Sequence, residues 1–283
     1  LETNAKQRGV TVKLEDVRVC VMRVGGTNCD TETQRAFQEL GVQAETLHLN
    51  ELVKRGNLMD YQVLVFPGGF SYGDYVRAGA ILARHLSAKL GKELKAFVDE
   101  NRPIMGICNG FQVLVEEGLL PGFEGMSAYP EASLAANIPQ GYNCRWVYLK
   151  QENKGKCVFT SKIPKGKVLR IPVAHSEGRF LFPKEEEQKL LERLYEEDML
   201  VFRYCDKNGN YAEGRYPTNP NGSFHDIAAI CNKEGTIFGL MPHPERALYW
   251  WQQPDWTRQA QMPQYGEGKL VFDGLLDYLS KKL

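Results

Sequence analysis

The chain has 283 residues, 43% hydrophobic and 25% charged, with 35 Lys+Arg against 35 Asp+Glu. That is enough chain for one large domain with a sizeable core, and the balanced charge excludes a basic footprint for nucleic acid or for an anionic membrane surface. No run is apolar enough to span a bilayer and no secretory leader is recognisable, while seven cysteines, an odd number without metal-site or redox spacing, predict free thiols in a reducing cytoplasm.

Residues 1–15 are polar and irregular and are expected to form an extension ahead of a single domain over 16–283. Val17 to Val24 is rich in β-branched residues and predicts a first strand. The turn Gly25 to Asp30 can cap a helix over Thr31 to Leu40, which Gly41 stops. Ala44 to Leu49 predicts a second strand, Leu52 to Leu58 a short helix or loop, and Val63 to Phe66 a continuous apolar strand ending in Pro67-Gly68-Gly69. Two helices are expected over Ala80 to Leu90 and Glu93 to Glu100. Strands alternating with helices, and apolar along their whole length, indicate an α/β fold: an open, mostly parallel sheet flanked by helices. Ligands of such sheets bind at the carboxyl ends of the strands. Three loops meet there: Gly25 to Asp30, Gly68 to Val76, and the turn at Cys108. The first lacks the Gly-x-Gly-x-x-Gly spacing of a dinucleotide site. The second carries Gly68, Gly69 and Gly73, which either expose N–H groups to an oxyanion or make a plain surface loop.

The central stretch is Asn101 to Glu117. Ile104 to Ile107 predicts a buried strand, and Phe111, Leu114 and Val115 lie at helical spacing. Cys108 sits at the join, inside Gly106-Ile107-Cys108-Asn109-Gly110, the pattern of a nucleophile elbow with cysteine in the serine position. The turn projects the thiol from the strand, and a helix N-terminus lowers a thiol pKa. Most free cysteines are merely small buried hydrophobes; the strand–helix switch sets this one apart.

Beyond Gly118 short strands are expected over Cys144 to Lys150, Cys157 to Thr160, Val168 to Ala174, Leu200 to Tyr204, Tyr211 to Tyr216, Ile227 to Cys231 and Thr236 to Met241. Lys207 to Asn210 is a hairpin candidate, Lys184 to Asp198 a solvated helix and Leu270 to Leu283 a closing amphipathic helix. The histidines are His48, His85, His175, His225 and His243. In Met241-Pro242-His243-Pro244-Glu245-Arg246 the two prolines exclude a regular helix and favour an extended run. Residues two apart then share a face, so Glu245 can orient the His243 imidazole. Cys108, His243 and Glu245 would make a thiol-based triad.

These motifs resemble the triad-type (class I) glutamine amidotransferases, and more closely the glutaminase subunits of phosphoribosylformylglycinamidine synthases. The matching blocks are Gly26 to Asp30, Pro67 to Asp74, Cys108 to Gln112, Ala174 to Arg179, Tyr216 to Ser223 and Met241 to Arg246. Ser176 departs from the glycine expected between His175 and Glu177, and the N-terminal extension and the charged stretch after Phe182 look longer than a minimal subunit needs.

The resemblance implies a flavodoxin-like amidotransferase domain with added antiparallel strands. It implies an oxyanion hole at the backbone N–H groups of Gly69 and Asn109. It also implies contacts to L-glutamine from Gly68, Gln112, His175, Ser176 and Glu177. No metal or cofactor is expected in this chain; ATP and Mg are expected on a synthetase partner, with a small third subunit in some assemblies. In keeping with this, no Gly-Lys pair is followed by Ser or Thr, so a P-loop is absent. Two other readings compete. A cysteine hydrolase or protease could use the same elbow, without needing Gln112 or the Pro67 to Asp74 loop in this form. A binding or regulatory module with a dead site would not need Cys108, His243 and Glu245 intact.

Overall fold

The computed structural model describes residues 13–258 and 262–282. The expected extension lies almost wholly outside them; its last residues make a short 3-10 turn, Leu14–Asp16, and Leu14 packs on the core. The strands are β1 Arg18–Arg23, β2 Gln43–His48, β3 Val63–Phe66, β4 Ile104–Ile107, β5 Ser133–Ala136, β6 Asn143–Gln151, β7 Val168–His175, β8 Glu177–Leu181, β9 Leu200–Cys205, β10 Ile227–Cys231 and β11 Ile237–Leu240. The α-helices are α1 Asp30–Glu39, α2 Leu49–Arg55, α3 Ala80–Asp99, α4 Asn109–Glu116, α5 Glu187–Glu196 and α6 Lys269–Lys282.

Nine strands form one sheet in the order β2-β1-β3-β4-β11-β10-β9-β6-β7. The first five are parallel, the flavodoxin-like order. The remainder continue antiparallel, and β5 pairs with β8 in a separate ribbon. Strands β3, β4 and β11 are buried at every residue, as expected for strands covered on both faces. A continuous core joins the parallel and antiparallel halves, with Phe159 stacked on Phe238 at 5.3 Å and Phe37 edge-on to Phe272 at 5.2 Å.

Several expectations are corrected. The two helices over 80–100 are one: α3 runs through Gly91, held by the buried Leu86, Leu90 and Leu94 on either side of it. Cys157 to Thr160 is a turn, held by Thr160 N–H on the Cys157 carbonyl, and Tyr211 to Tyr216 makes a single bridge, Cys205 to Tyr211, instead of a strand. The first segment buries its side chains without a ladder partner, while the second, with Tyr216 47% exposed, turns away after Ala212. The solvated helix at 184–198 is shorter and amphipathic, burying Leu191 and Leu194. Pro244–Ala247 is a 3-10 turn, not an extended run; only His243 ahead of it keeps extended dihedrals. Proline at the first position suits that turn, since its missing N–H would have no partner there.

Candidate active site

Four adjacent parallel strands, β1, β3, β4 and β11, end on the same side of the sheet. Each delivers one part of the site. After β4 the chain turns at Cys108, whose φ of 52° and ψ of −106° lie outside the basins a side chain prefers. The turn is locked by the Cys108 N–H on the Leu240 carbonyl at 2.8 Å. Helix α4 then presses so close to β3 that a Cβ on Gly110 would sit 1.9 Å from the Phe66 carbonyl oxygen. Phe111, Val113, Leu114 and Val115 are buried and hold the helix down.

After β11 the chain delivers His243, whose N–H donates to the Pro172 carbonyl at 2.8 Å. Its Nδ1 meets Glu245 Oε1 at 2.6 Å, with both side chains essentially buried. Nε2 is buried and has no hydrogen-bond partner, so it is the nitrogen free to exchange a proton. Burial opposes charge on this imidazole, but Glu245 and then the Cys108 sulfur outweigh it and hold its pKa well above the ordinary histidine value.

After β3 come Gly68 and Gly69. A Cβ on Gly68 would lie 2.6 Å from His243 Cε1, 3.1 Å from Cys29 Sγ and 3.4 Å from Cys108 Cβ. The Gly68 backbone therefore sits where base and nucleophile converge, and only glycine leaves room. A Cβ on Gly69, at φ 150°, would run into the Gly26–Asn28 backbone, 2.7 Å from the Gly26 carbonyl oxygen, and Thr27 and Gly69 form a bridge. Asn109 is the first residue of α4, so its N–H has no intrahelical acceptor. Its side chain accepts from Ser71 N–H at 3.2 Å and donates to Asp74 at 3.2 Å and Gln112 at 2.9 Å, tying the glycine loop to the elbow.

The remaining expected contacts are placed as follows. Gln112 is buried with its amide spent inside the protein, accepting from Asn109 and donating to the Glu177 carbonyl. His175 ends β7; Ala174, just before it, places its carbonyl 3.6 Å from Cys108 Sγ. Burial and the neighbouring His243 push the His175 imidazole down to about 3, so it stays neutral and cannot serve as the base. Ser176 accepts the Asn137 N–H on its carbonyl at 2.9 Å, and Glu177 accepts the Ala78 N–H at 3.1 Å. Glu177 also helps burial raise the Asp74 carboxyl to about 6.

Three residues near the triad were not foreseen. Cys29 and Arg246 contact the back of the His243–Glu245 pair, and Asn137 braces the turn between β7 and β8 through His175 and Gly178. Cys29 and Arg246 lie inside sequence blocks already singled out, which was the available signal; Asn137 had none. The donor atoms of Cys29, His243 and Glu245 lie within 4.8 Å of one another, close enough for a metal. However, Nδ1 and Oε1 are spent on each other, and the sulfur accepts from the Arg246 cation at 2.9 Å. That arrangement suits a proton relay.

A family model described as the CobB/CobQ-like glutamine amidotransferase domain matches residues 16–279. The phosphoribosylformylglycinamidine synthase subunit PurQ of Archaeoglobus fulgidus is 46% identical over 94% of this chain and 98% of its own length. That of Methanococcus maripaludis is 41% identical over 93% and 98%. Among solved structures, a chain of PurLQS from Thermotoga maritima is 34% identical, with a TM-score of 0.70 over 93% of this chain and 99% of that one. With matches of this extent spanning every strand that builds the site, the chain belongs to the CobB/CobQ-like glutamine amidotransferase family, among its PurQ members.

Proposed function

We propose that this chain hydrolyses L-glutamine to glutamate and ammonia and supplies the ammonia to a synthetase that converts formylglycinamide ribonucleotide to the amidine in purine biosynthesis. The observation that carries the chemistry is the Cys108 elbow beside a buried His243–Glu245 pair whose Nε2 has no partner. Cys108 Sγ attacks the amide carbonyl carbon, and His243 gives a proton to the departing ammonia. The same imidazole then takes a proton from water, which hydrolyses the γ-glutamyl thioester and frees the thiol. Glu245 holds the ring and stabilises its charged form. The Gly69 and Asn109 N–H groups are assigned to the oxyanion, one from the residue after the nucleophile and one from the neighbouring strand's loop. Gly68 and the His175–Glu177 segment border the glutamine, with Gln112 fixing that segment's backbone from behind.

The partners are a synthetase and a small third subunit, an arrangement supported by the likeness to the PurLQS chain. ATP and Mg act on the synthetase. Seven free cysteines support a reducing, cytoplasmic setting, and among the described residues no helix is long and apolar enough to cross a membrane. The test is glutamate release by the chain assembled with its synthetase. Cys108→Ala should abolish it, and His243→Ala should reduce it by at least about 10²-fold. Turnover by Cys108→Ala at the parent rate would place the nucleophile elsewhere.

A further inference from the structure

The turn between β1 and α1 takes no part in the mechanism above, yet it touches both halves of the catalytic apparatus. Asn28 and Cys29 donate their backbone N–H groups to the Gly68 carbonyl at 3.3 and 3.1 Å. That carbonyl and the Gly69 N–H belong to one planar trans peptide, in which they point in opposite directions. Gripping the oxygen on one side fixes the direction of the N–H on the other. The Cys29 side chain reaches the base as well. Its sulfur lies 3.9 Å from His243 Nδ1, accepts from Arg246 Nη2 at 2.9 Å and approaches Asn28 Oδ1 at 3.1 Å. Arg246 Nε is 3.8 Å from Glu245 Oε1 and 3.7 Å from Glu32 Oε1. Glu245 Oε2 is buried without a hydrogen-bond partner, so the carboxylate has no restraint of its own beyond the imidazole and this guanidinium.

We infer that Cys29, acting with Arg246, is a positioning residue that holds the His243–Glu245 pair and the Gly68–Gly69 peptide in mutual register. The inference rests on the roles proposed for His243 and Gly69. Cys29 itself is a poor second nucleophile, since it is 1% exposed and burial pushes its thiol up. The groups facing the imidazole are Glu245 along Nδ1, Cys108 from the elbow, Cys29 and Arg246 behind, His175 from β7, and Tyr142 from the segment before β6.

The experiment compares Cys29→Ala, Cys29→Ser, Arg246→Ala and Arg246→Lys with the parent and with Cys108→Ala, each assembled with the synthetase and assayed for glutamate release across pH. The two alanine variants should lose about 10- to 100-fold in kcat, the scale of an ångström of misplacement, with KM nearly unchanged. The limb that reports His243 should move to lower pH in Cys29→Ala, because the sulfur supports the imidazolium. It should move to higher pH in Arg246→Ala, because a neighbouring cation is removed. Serine and lysine should restore part of kcat, and they carry the comparison if an alanine variant does not fold. Parental kcat and pH profile in Cys29→Ala would overturn the inference. So would equal losses in alanine and conservative variants with no displaced limb, the mark of a merely structural residue. An active Cys108→Ala would instead overturn the functional reading beneath it.

Discussion

Two histidines border Cys108, and their surroundings separate them. His175 has no carboxylate partner, so burial drives its proton off; His243 has Glu245 at 2.6 Å and keeps its proton well above neutral expectation. Such an imidazole is placed to take up and return the proton of the nucleophile. In the assembly with the synthetase and its ligands, a brief, limiting dose of iodoacetamide near neutral pH should therefore label Cys108 ahead of Cys144, and peptide mapping of His243→Ala should show that lead lost. Equal labelling in parent and variant would remove His243 from the reactive centre. Gly68 gives a second residue-scale prediction. Its alanine variant would push a methyl to 2.6 Å from His243 Cε1 and 3.1 Å from Cys29 Sγ. Glutamate release should fall about 10²-fold, as expected when reacting groups are displaced, while circular dichroism stays parental. The triad itself was legible in the sequence because each member sits in a local signature: glycines around Cys108, prolines around His243. Cys29 and Arg246 were not, since their contact exists only once the loops that follow β1 and β11, with two strands between them in the sheet, fold toward each other across the ends of β3 and β4, a contact that no local pattern encodes.

Helix α4 carries the nucleophile and is fastened at both ends. At its start, Gly110 against Phe66 leaves no room for a side chain, so Gly110→Ala should cost about 1–3 kcal/mol in urea unfolding, the usual scale of overpacking. At its end, Arg77 pairs with Glu116, while Glu117 accepts the Ser87 hydroxyl at 2.6 Å. Burial pushes the Glu117 carboxyl from 4.5 up to about 7. Between those values the folded chain binds more protons here than the unfolded chain. This group's contribution to stability therefore falls as pH rises through the window and levels off above about 7. Glu117→Gln should flatten that part of the melting-temperature profile; a profile parallel to the parent's would reject the assignment. The same element shows where sequence reading succeeds. Phe111, Leu114 and Val115 at helical spacing, after a run of four apolar residues, leave one reading, and the structure has it. The elements that escaped, β5 and β8, are a short ribbon whose residues alternate weakly and whose partners lie far apart in the chain. The strand expected at 157–160 failed for the converse reason, apolar composition without a strand to pair with, and the one at 211–216 pairs only at Tyr211 before Glu213 and Gly214 turn the chain at positive φ.

At the scale of the whole molecule, the site is closed. Cys108 is 4% exposed and His243 1%, with Gln112 and Asn109 buried around them, so little of the nucleophile or the base faces solvent. The glycine loop and the residues just after it are held at Asn109, at Arg77–Glu116 and at Glu177. Such an enclosed site suits an enzyme whose product is wasted unless a second reaction is ready for it. Ammonia released early would escape or protonate, and the amide oxygen of the acceptor must be activated before ammonia can displace it. In the division of labour proposed above, that activation falls to the synthetase. Opening should therefore be coupled to the synthetase, which stabilises the competent state by binding it preferentially. The purified chain alone should release glutamate slowly. Added synthetase should raise the rate, and synthetase with ATP, Mg and formylglycinamide ribonucleotide should raise it further, by at least about tenfold, the range of a coupling free energy of 1–3 kcal/mol. The rise should appear mainly in kcat/KM, because the closed state taxes substrate entry before any chemistry. A chain that hydrolyses glutamine equally fast alone and in the full assembly would show that the buried site opens without help. A chain that completes the ATP-dependent amidation alone would overturn the division of labour itself, even with Cys108 as its nucleophile.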